Sequence, residues 1–174
     1  MIALEIIVLF CLAFICYQDF RYRAVYWICF PLLGMLFLFL KYLQAGAADS
    51  LWHSIFGLSF FAVQLLLLWA YFSLMHKKLI NLTDSYLGWG DVLFLAIVPF
   101  YLSPVNYIAF YMGSLVLVLL YVLVAKLIVS KVNQVANTQI PLAGLQAMIL
   151  GAVLLLSIFL PQLKLYDDAW YTGF

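Results

Sequence analysis

Residues 105–129 read VNYIAFYMGSLVLVLLYVLVAKLIV, with a single charge, Lys126, near the end. Apolar residues fill successive positions here instead of every second one, which argues against a strand of a membrane barrel. A helix needs about 20 apolar residues to cross the hydrocarbon of a bilayer, and this stretch supplies them. Similar runs lie on both sides of it, at 2–18, 24–43, 51–75, 89–102 and 139–161. Of the 174 residues, 69% are hydrophobic and 9% charged, and the mean hydropathy is +1.17. A soluble domain carries roughly a quarter charged residues, so this chain has too little polar surface to cover a water-soluble globule. The expectation is an all-α membrane protein: one domain, 1–174, built as a bundle of about six transmembrane helices.

The run at 89–102 is the shortest. Gly88 and Gly90 open it and Pro99 and Pro104 close it, so it is expected to be bent or only partly spanning. The N-terminal run has no basic residues before it, carries Glu5, and lacks a small-residue cleavage site ahead of Asp19. It is expected to be a retained first span, not a signal peptide. The polar stretch from Tyr166 to Phe174 is expected at the interface, where Trp170 and Tyr171 suit the headgroup belt.

Basic residues set the orientation, because Lys and Arg accumulate in cytoplasmic loops. With six spans, Arg21, Arg23, Lys77, Lys78, Lys126 and Lys131 share one side, while Lys41 and Lys164 fall on the other. Both termini are therefore expected on the non-cytoplasmic side. The net charge of +1 implies no nucleic-acid partner; membrane lipids are the surroundings to expect. Cys11, Cys16 and Cys29 form no CxxC pair and read as small hydrophobes. His53 and His76 have no ligand-spaced partners, so neither a metal site nor a cofactor is expected. Gly113-Ser114 lies in an apolar span without a GxSxG pattern, which offers no serine nucleophile. Gly34, Gly57, Gly113 and Gly151 are candidates for close helix packing.

Among the acidic residues, Glu5, Asp49, Asp167 and Asp168 fall near outer ends or in outer loops, where hydration makes charge inexpensive. Asp84 lies in the polar loop 81–85 and reads as a helix cap or solvated charge. Asp19 and Asp91 differ. Asp19 closes the first span and Asp91 begins the fourth, within Leu87-Gly88-Trp89-Gly90-Asp91-Val92, both at the cytoplasmic edge. Ionisable groups at membrane depth cost a few kcal/mol and are usually functional or paired. Two neighbouring carboxylates can share one proton, as in aspartic proteases. The ionised one takes a proton from water while the other protonates a scissile carbonyl. The alternative is structural: Asp19 pairs with Arg21 or Arg23, and Asp91 caps the start of the fourth helix.

Three stretches, in order, resemble the type IV prepilin peptidases and archaeal preflagellin peptidases, six-span aspartyl peptidases with a GxGD motif. They are residues 16–25 around Asp19, residues 88–96 around Asp91, and Gln139-Ile140-Pro141-Leu142-Ala143-Gly144, which is similar to the start of the family's last helix. The resemblance is to the short form, without the cysteine-bearing N-terminal region that methylates mature pilin. It implies that Asp19 and Asp91 are catalytic, with Gly88, Gly90, Arg21, Arg23 and Pro141 supporting the motifs or the substrate. It also implies the partner: a pilin-like precursor cut at its N-terminal leader on the cytoplasmic face of the cytoplasmic (inner) membrane. Two departures bear on substrate choice. The family's Ile-Pro-Asn is Val25-Tyr26-Trp27 here, and the lysine two places after the second aspartate is Leu93. The rival class is a non-enzymatic membrane protein, either a small transporter or a scaffold with a peptidase-like fold. Carboxyl groups more than roughly 10 Å apart favour that rival, since one water must serve both.

Overall fold

The computed structural model describes residues 1–77, 88–129, 141–160 and 162–168. Its described part is helical: α1 (Ile2–Tyr22), α2 (Cys29–Ala45), α3 (Ala47–His76), α4 (Trp89–Ile97), α5 (Pro104–Val129) and α6 (Leu142–Phe159). A single 3₁₀ turn, Val98–Phe100, continues α4. Asp84, Lys78, Lys131, Trp170 and Tyr171 lie outside the described residues, as does the side chain of Lys126.

The helices bury one face at helical spacing. Val8, Leu12 and Ile15 of α1, Phe30, Leu33, Phe37 and Leu40 of α2, and Ala143, Ala147, Leu150 and Leu154 of α6 form the core. Intervals of three and four residues place each set on one stripe. The opposite faces are apolar too: Phe10 and Met35 are each 72% exposed. In water so many bare aromatic and aliphatic side chains would drive association; in lipid they are solvated. Antiparallel packing of α1 on α6 is the main contact of the bundle, and it brings the end of α1 to the start of α6.

Four helices are long and apolar enough to cross a membrane: α1, α3, α6, and α5 over Pro104–Ala125. The other two segments are shorter than the apolar runs suggest. α2 has 17 residues and starts only at Cys29, because 24–28 form the turn from α1. α4 with its 3₁₀ turn is about 18 Å long at 1.5 Å per residue, against a hydrocarbon thickness of about 30 Å. Between α2 and α3 there is almost no loop. Gly46, at φ +87°, makes the reversal alone, a backbone state that other residues rarely adopt. Lys41 and Asp49, expected in a loop here, are both helical.

Stopping α4 early leaves carbonyls without helical partners, and hydrocarbon supplies none. Lys41 meets that need. It is fully buried, and its Nζ donates to the Leu102 carbonyl at 2.7 Å and to that of Pro99 at 3.5 Å. Its expected place in an outer loop is corrected: the cation caps the negative end of a broken helix. Beside it, α3 runs against the break at Gly57, where an added Cβ would lie 2.5 Å from Pro99 Cβ. Residues 162–168 fold over the same end. Ser103 N donates to Leu165 O at 3.0 Å, Asn106 Nδ2 does so at 3.0 Å, and the Ser103 hydroxyl donates to the Asp168 carboxylate. Asp168 is thus engaged with protein, not simply hydrated. Gly34 also meets α4 and its 3₁₀ turn closely, with Ile97 and Phe100 at 3.4 Å from an added Cβ. Among the described residues, Gly113 and Gly151 meet no neighbour within 4 Å, so their expected role in close packing is not seen there.

Candidate active site

The end of the bundle opposite the Lys41 break holds both motif aspartates. Asp19 is in the last turn of α1 and only 8% exposed. Asp91 is in the first turn of α4 and half-buried. They come from helices far apart in sequence, and α6 joins them. Its N-cap position is Pro141, whose side chain makes no cap, so the first amides of α6 need acceptors from elsewhere. Ala143 N donates to Asp91 Oδ1 at 2.7 Å, and Gly144 N donates to Asp19 Oδ2 at 2.5 Å.

Consecutive amide nitrogens of a helix lie about 2.8 Å apart, so the two bound carboxylate oxygens are at most about 8 Å from each other. That is inside the limit of roughly 10 Å set for a shared water. The arrangement also gathers negative charge where a helix favours it. The N-terminus of α6 carries about half a positive charge, and hydrogen bonds to charged acceptors contribute about 1.5–3 kcal/mol each. Two carboxylates near one another are therefore tolerated here at a depth where either alone would be costly.

Gly144 is the residue that permits the approach. An added Cβ would sit 3.0 Å from both Cβ and Oδ2 of Asp19 and 3.2 Å from Phe20 Cδ2. Gly88 plays a similar part for Asp91. It is the N-cap residue of α4, its carbonyl accepts from Asp91 N at 3.1 Å, and a Cβ there would be 3.1 Å from Asp91 Oδ2. Gly90 is less constrained: among the described residues an added Cβ would meet Phe30 Cζ alone, at 3.7 Å.

The two arginines lie outside this hydrogen-bonded centre. Arg21 and Arg23 are exposed. Arg21 is in the last turn of α1, where a cation suits the helix dipole. Arg23 ends the helix in the left-handed region, φ 52°, with its amide donating to Asp19 O at 3.0 Å. Its guanidinium acts electrostatically on the Asp19 carboxylate. Pro141 is placed at the start of α6, and its carbonyl accepts from Leu145 N at 3.1 Å.

Sequence reasoning missed Gln18. It is 3% exposed, and its Oε1 accepts from Tyr26 N at 3.1 Å and from Cys29 Sγ at 4.0 Å. This bond folds the 24–28 turn back onto α1, next to Asp19. A glutamine inside an apolar run was the available signal. The turn it holds exposes Tyr26, Trp27 and Ile28, so the departures at 26 and 27 sit on the surface at the aspartate end. Leu93 is 36% exposed on α4.

No protein-family model, curated protein or solved structure matches the chain. The arrangement sets two carboxylates on one helix terminus.

Proposed function

We propose that the protein is an aspartyl endopeptidase that removes the N-terminal leader of pilin-like precursors, a prepilin-peptidase-like hydrolase of type IV pilus or related secretion systems. The single observation carrying this reading is that Asp19 and Asp91 accept hydrogen bonds from consecutive amides of α6. The proposed setting is the cytoplasmic membrane, crossed six times if α2 and the short α4 are included, with both termini outside and the aspartates at the cytoplasmic edge. The asymmetric distribution of basic residues supports that orientation.

In the proposed reaction one carboxylate takes a proton from water as the water oxygen adds to the scissile carbonyl carbon. The other, protonated, carboxyl gives its proton to the carbonyl oxygen. Collapse of the gem-diol breaks the C–N bond and returns a proton to the departing amine. Either aspartate can begin as the base, because such a pair titrates as a unit. Gly88 and Gly144 hold the carboxylates close to the helix backbone.

A second reading has an observation of its own: α6 has no capping side chain, and the two aspartates supply caps whatever else they do. The readings part in a simple assay. Protein reconstituted in vesicles and given a pilin-like precursor is expected to release the leader just ahead of the apolar helix. Folded protein that leaves such precursors intact would support capping alone.

A further inference from the structure

Gln18 and Asp19 are neighbours in sequence and both buried, 3% and 8% exposed. They continue the core stripe of α1: after Val8, Leu12 and Ile15, the next buried positions, at i+3 and i+4, are these two polar residues. Successive residues of a helix point about 100° apart, so the pair faces two different partners. Asp19 turns to α6, where the Gly144 amide donates to it. Gln18 turns to the connection between α1 and α2, where its Oε1 accepts from Tyr26 N at 3.1 Å and from Cys29 Sγ at 4.0 Å. Burying a polar amide is costly unless it is hydrogen-bonded, so the bond to Tyr26 is what makes a glutamine acceptable in the stripe.

The connection is short. Helix α1 ends with Arg23 N donating to Asp19 O at 3.0 Å, and α2 begins at Cys29. Val25 and Cys29 pack against the core. The last turn of α1 is thus held from one side through Gln18 and from another through Asp19, with Gly144 packed closely on Asp19 and Phe20. Helix ends fray when nothing holds them, and any roll of this turn carries the Asp19 carboxylate with it. We propose that Gln18 is a positioning residue: its bond to Tyr26 fixes the last turn of α1 and so sets Asp19 against the start of α6. The placement of Asp19 is independent of any activity; its consequence for rate rests on the peptidase reading.

The test compares Gln18→Met, which keeps the length of the side chain and removes the acceptor, with Gln18→Glu, which keeps an acceptor oxygen. Hydrogen exchange of single amides is followed in protein reconstituted in lipid nanodiscs. In Gln18→Met the amides of Tyr26 and Gly144 are both expected to exchange about three- to tenfold faster, the scale of one lost hydrogen bond. Amides in the middle of α6 are expected to keep the wild-type rate, and Gln18→Glu to restore Tyr26 and Gly144. Gly144 exchanging at the wild-type rate in Gln18→Met, or equally fast in both variants, would overturn the proposal, because the glutamine would then serve the turn alone. Faster exchange along the whole of α6 would overturn it as well, showing general loosening. A second arm measures leader cleavage. Displacing a reacting group by about 1 Å costs up to about a hundredfold in rate, so Gln18→Met is expected to lower kcat between about tenfold and a hundredfold at unchanged KM. A raised KM at the wild-type kcat would contradict positioning. The two ideas fail separately: wild-type protein that cleaves nothing sinks the peptidase reading, whereas the exchange rates decide the role of Gln18 without cleavage.

Discussion

Gly144 N donates to Asp19 Oδ2 at 2.5 Å, and a methyl group on Gly144 would lie 3.0 Å from that same oxygen and from Asp19 Cβ. Hydrogen bond and close packing therefore depend on one missing side chain. Gly144→Ala must push α1 and α6 apart or turn the carboxylate away. Overpacking of this kind costs about 1–3 kcal/mol, and the variant is expected to unfold earlier in a denaturant titration and to cleave precursor poorly. Gly90→Ala, with Phe30 at 3.7 Å, is expected to retain stability within about 0.5 kcal/mol.

The Lys41 cap gives a prediction at the opposite end. Lys41→Met keeps the buried volume but removes the donor to the Leu102 carbonyl and leaves that of Pro99 with only the Ser54 hydroxyl, at 3.5 Å. Unsatisfied buried polar groups cost about 1–3 kcal/mol each, so thermal unfolding in detergent should move down clearly. An unchanged unfolding temperature would show that the break at 98–103 holds without the cation.

Close packing of α3 on the break is tested at Gly57. With Pro99 Cβ 2.5 Å from an added Cβ, Gly57→Val is expected to destabilise by about 1–3 kcal/mol. Gly113→Ala, where no described residue lies within 4 Å, is expected to be neutral or slightly stabilising, since alanine is the better helix former by about 1 kcal/mol. The measurement is the unfolding midpoint of both variants side by side.

The proposed orientation has its own check. Trp27 is 68% exposed at the aspartate end. Trp27→Cys, in protein with Cys11, Cys16 and Cys29 replaced by Ala, should react with a membrane-impermeant maleimide only from the cytoplasmic side. Labelling in intact cells from outside would reverse the topology.

Much of this arrangement was legible in the residues. Long uninterrupted apolar runs announced helices, and two aspartates at the ends of such runs stood out because charge there is costly. Pro99 and Pro104 foretold the short fourth helix. What joins Asp19 to Asp91 was not legible, because the connection passes through backbone amides of α6 and backbone carries no sequence signature. The nearest hints were Pro141, which cannot cap with its side chain, and Gly144 three residues later. Lys41 misled for a related reason: near the end of an apolar run a lysine counts toward a loop, and only the fold shows the carbonyls it serves. Gly113 and Gly151 look like packing residues by pattern, yet among the described residues no neighbour comes within 4 Å of an added Cβ.

The central claim, that Asp19 and Asp91 do proton chemistry and not capping alone, is tested most directly by Asp19→Asn and Asp91→Asn. Asparagine keeps an oxygen that accepts from the α6 amides, so helix capping survives, but it can neither take a proton from water nor give one to a carbonyl. Leader cleavage and thermal unfolding are measured on the same reconstituted preparations. The expected result is a loss of cleavage of at least about a hundredfold in each variant, with unfolding close to wild type. Cleavage at the wild-type rate by either variant would contradict the account.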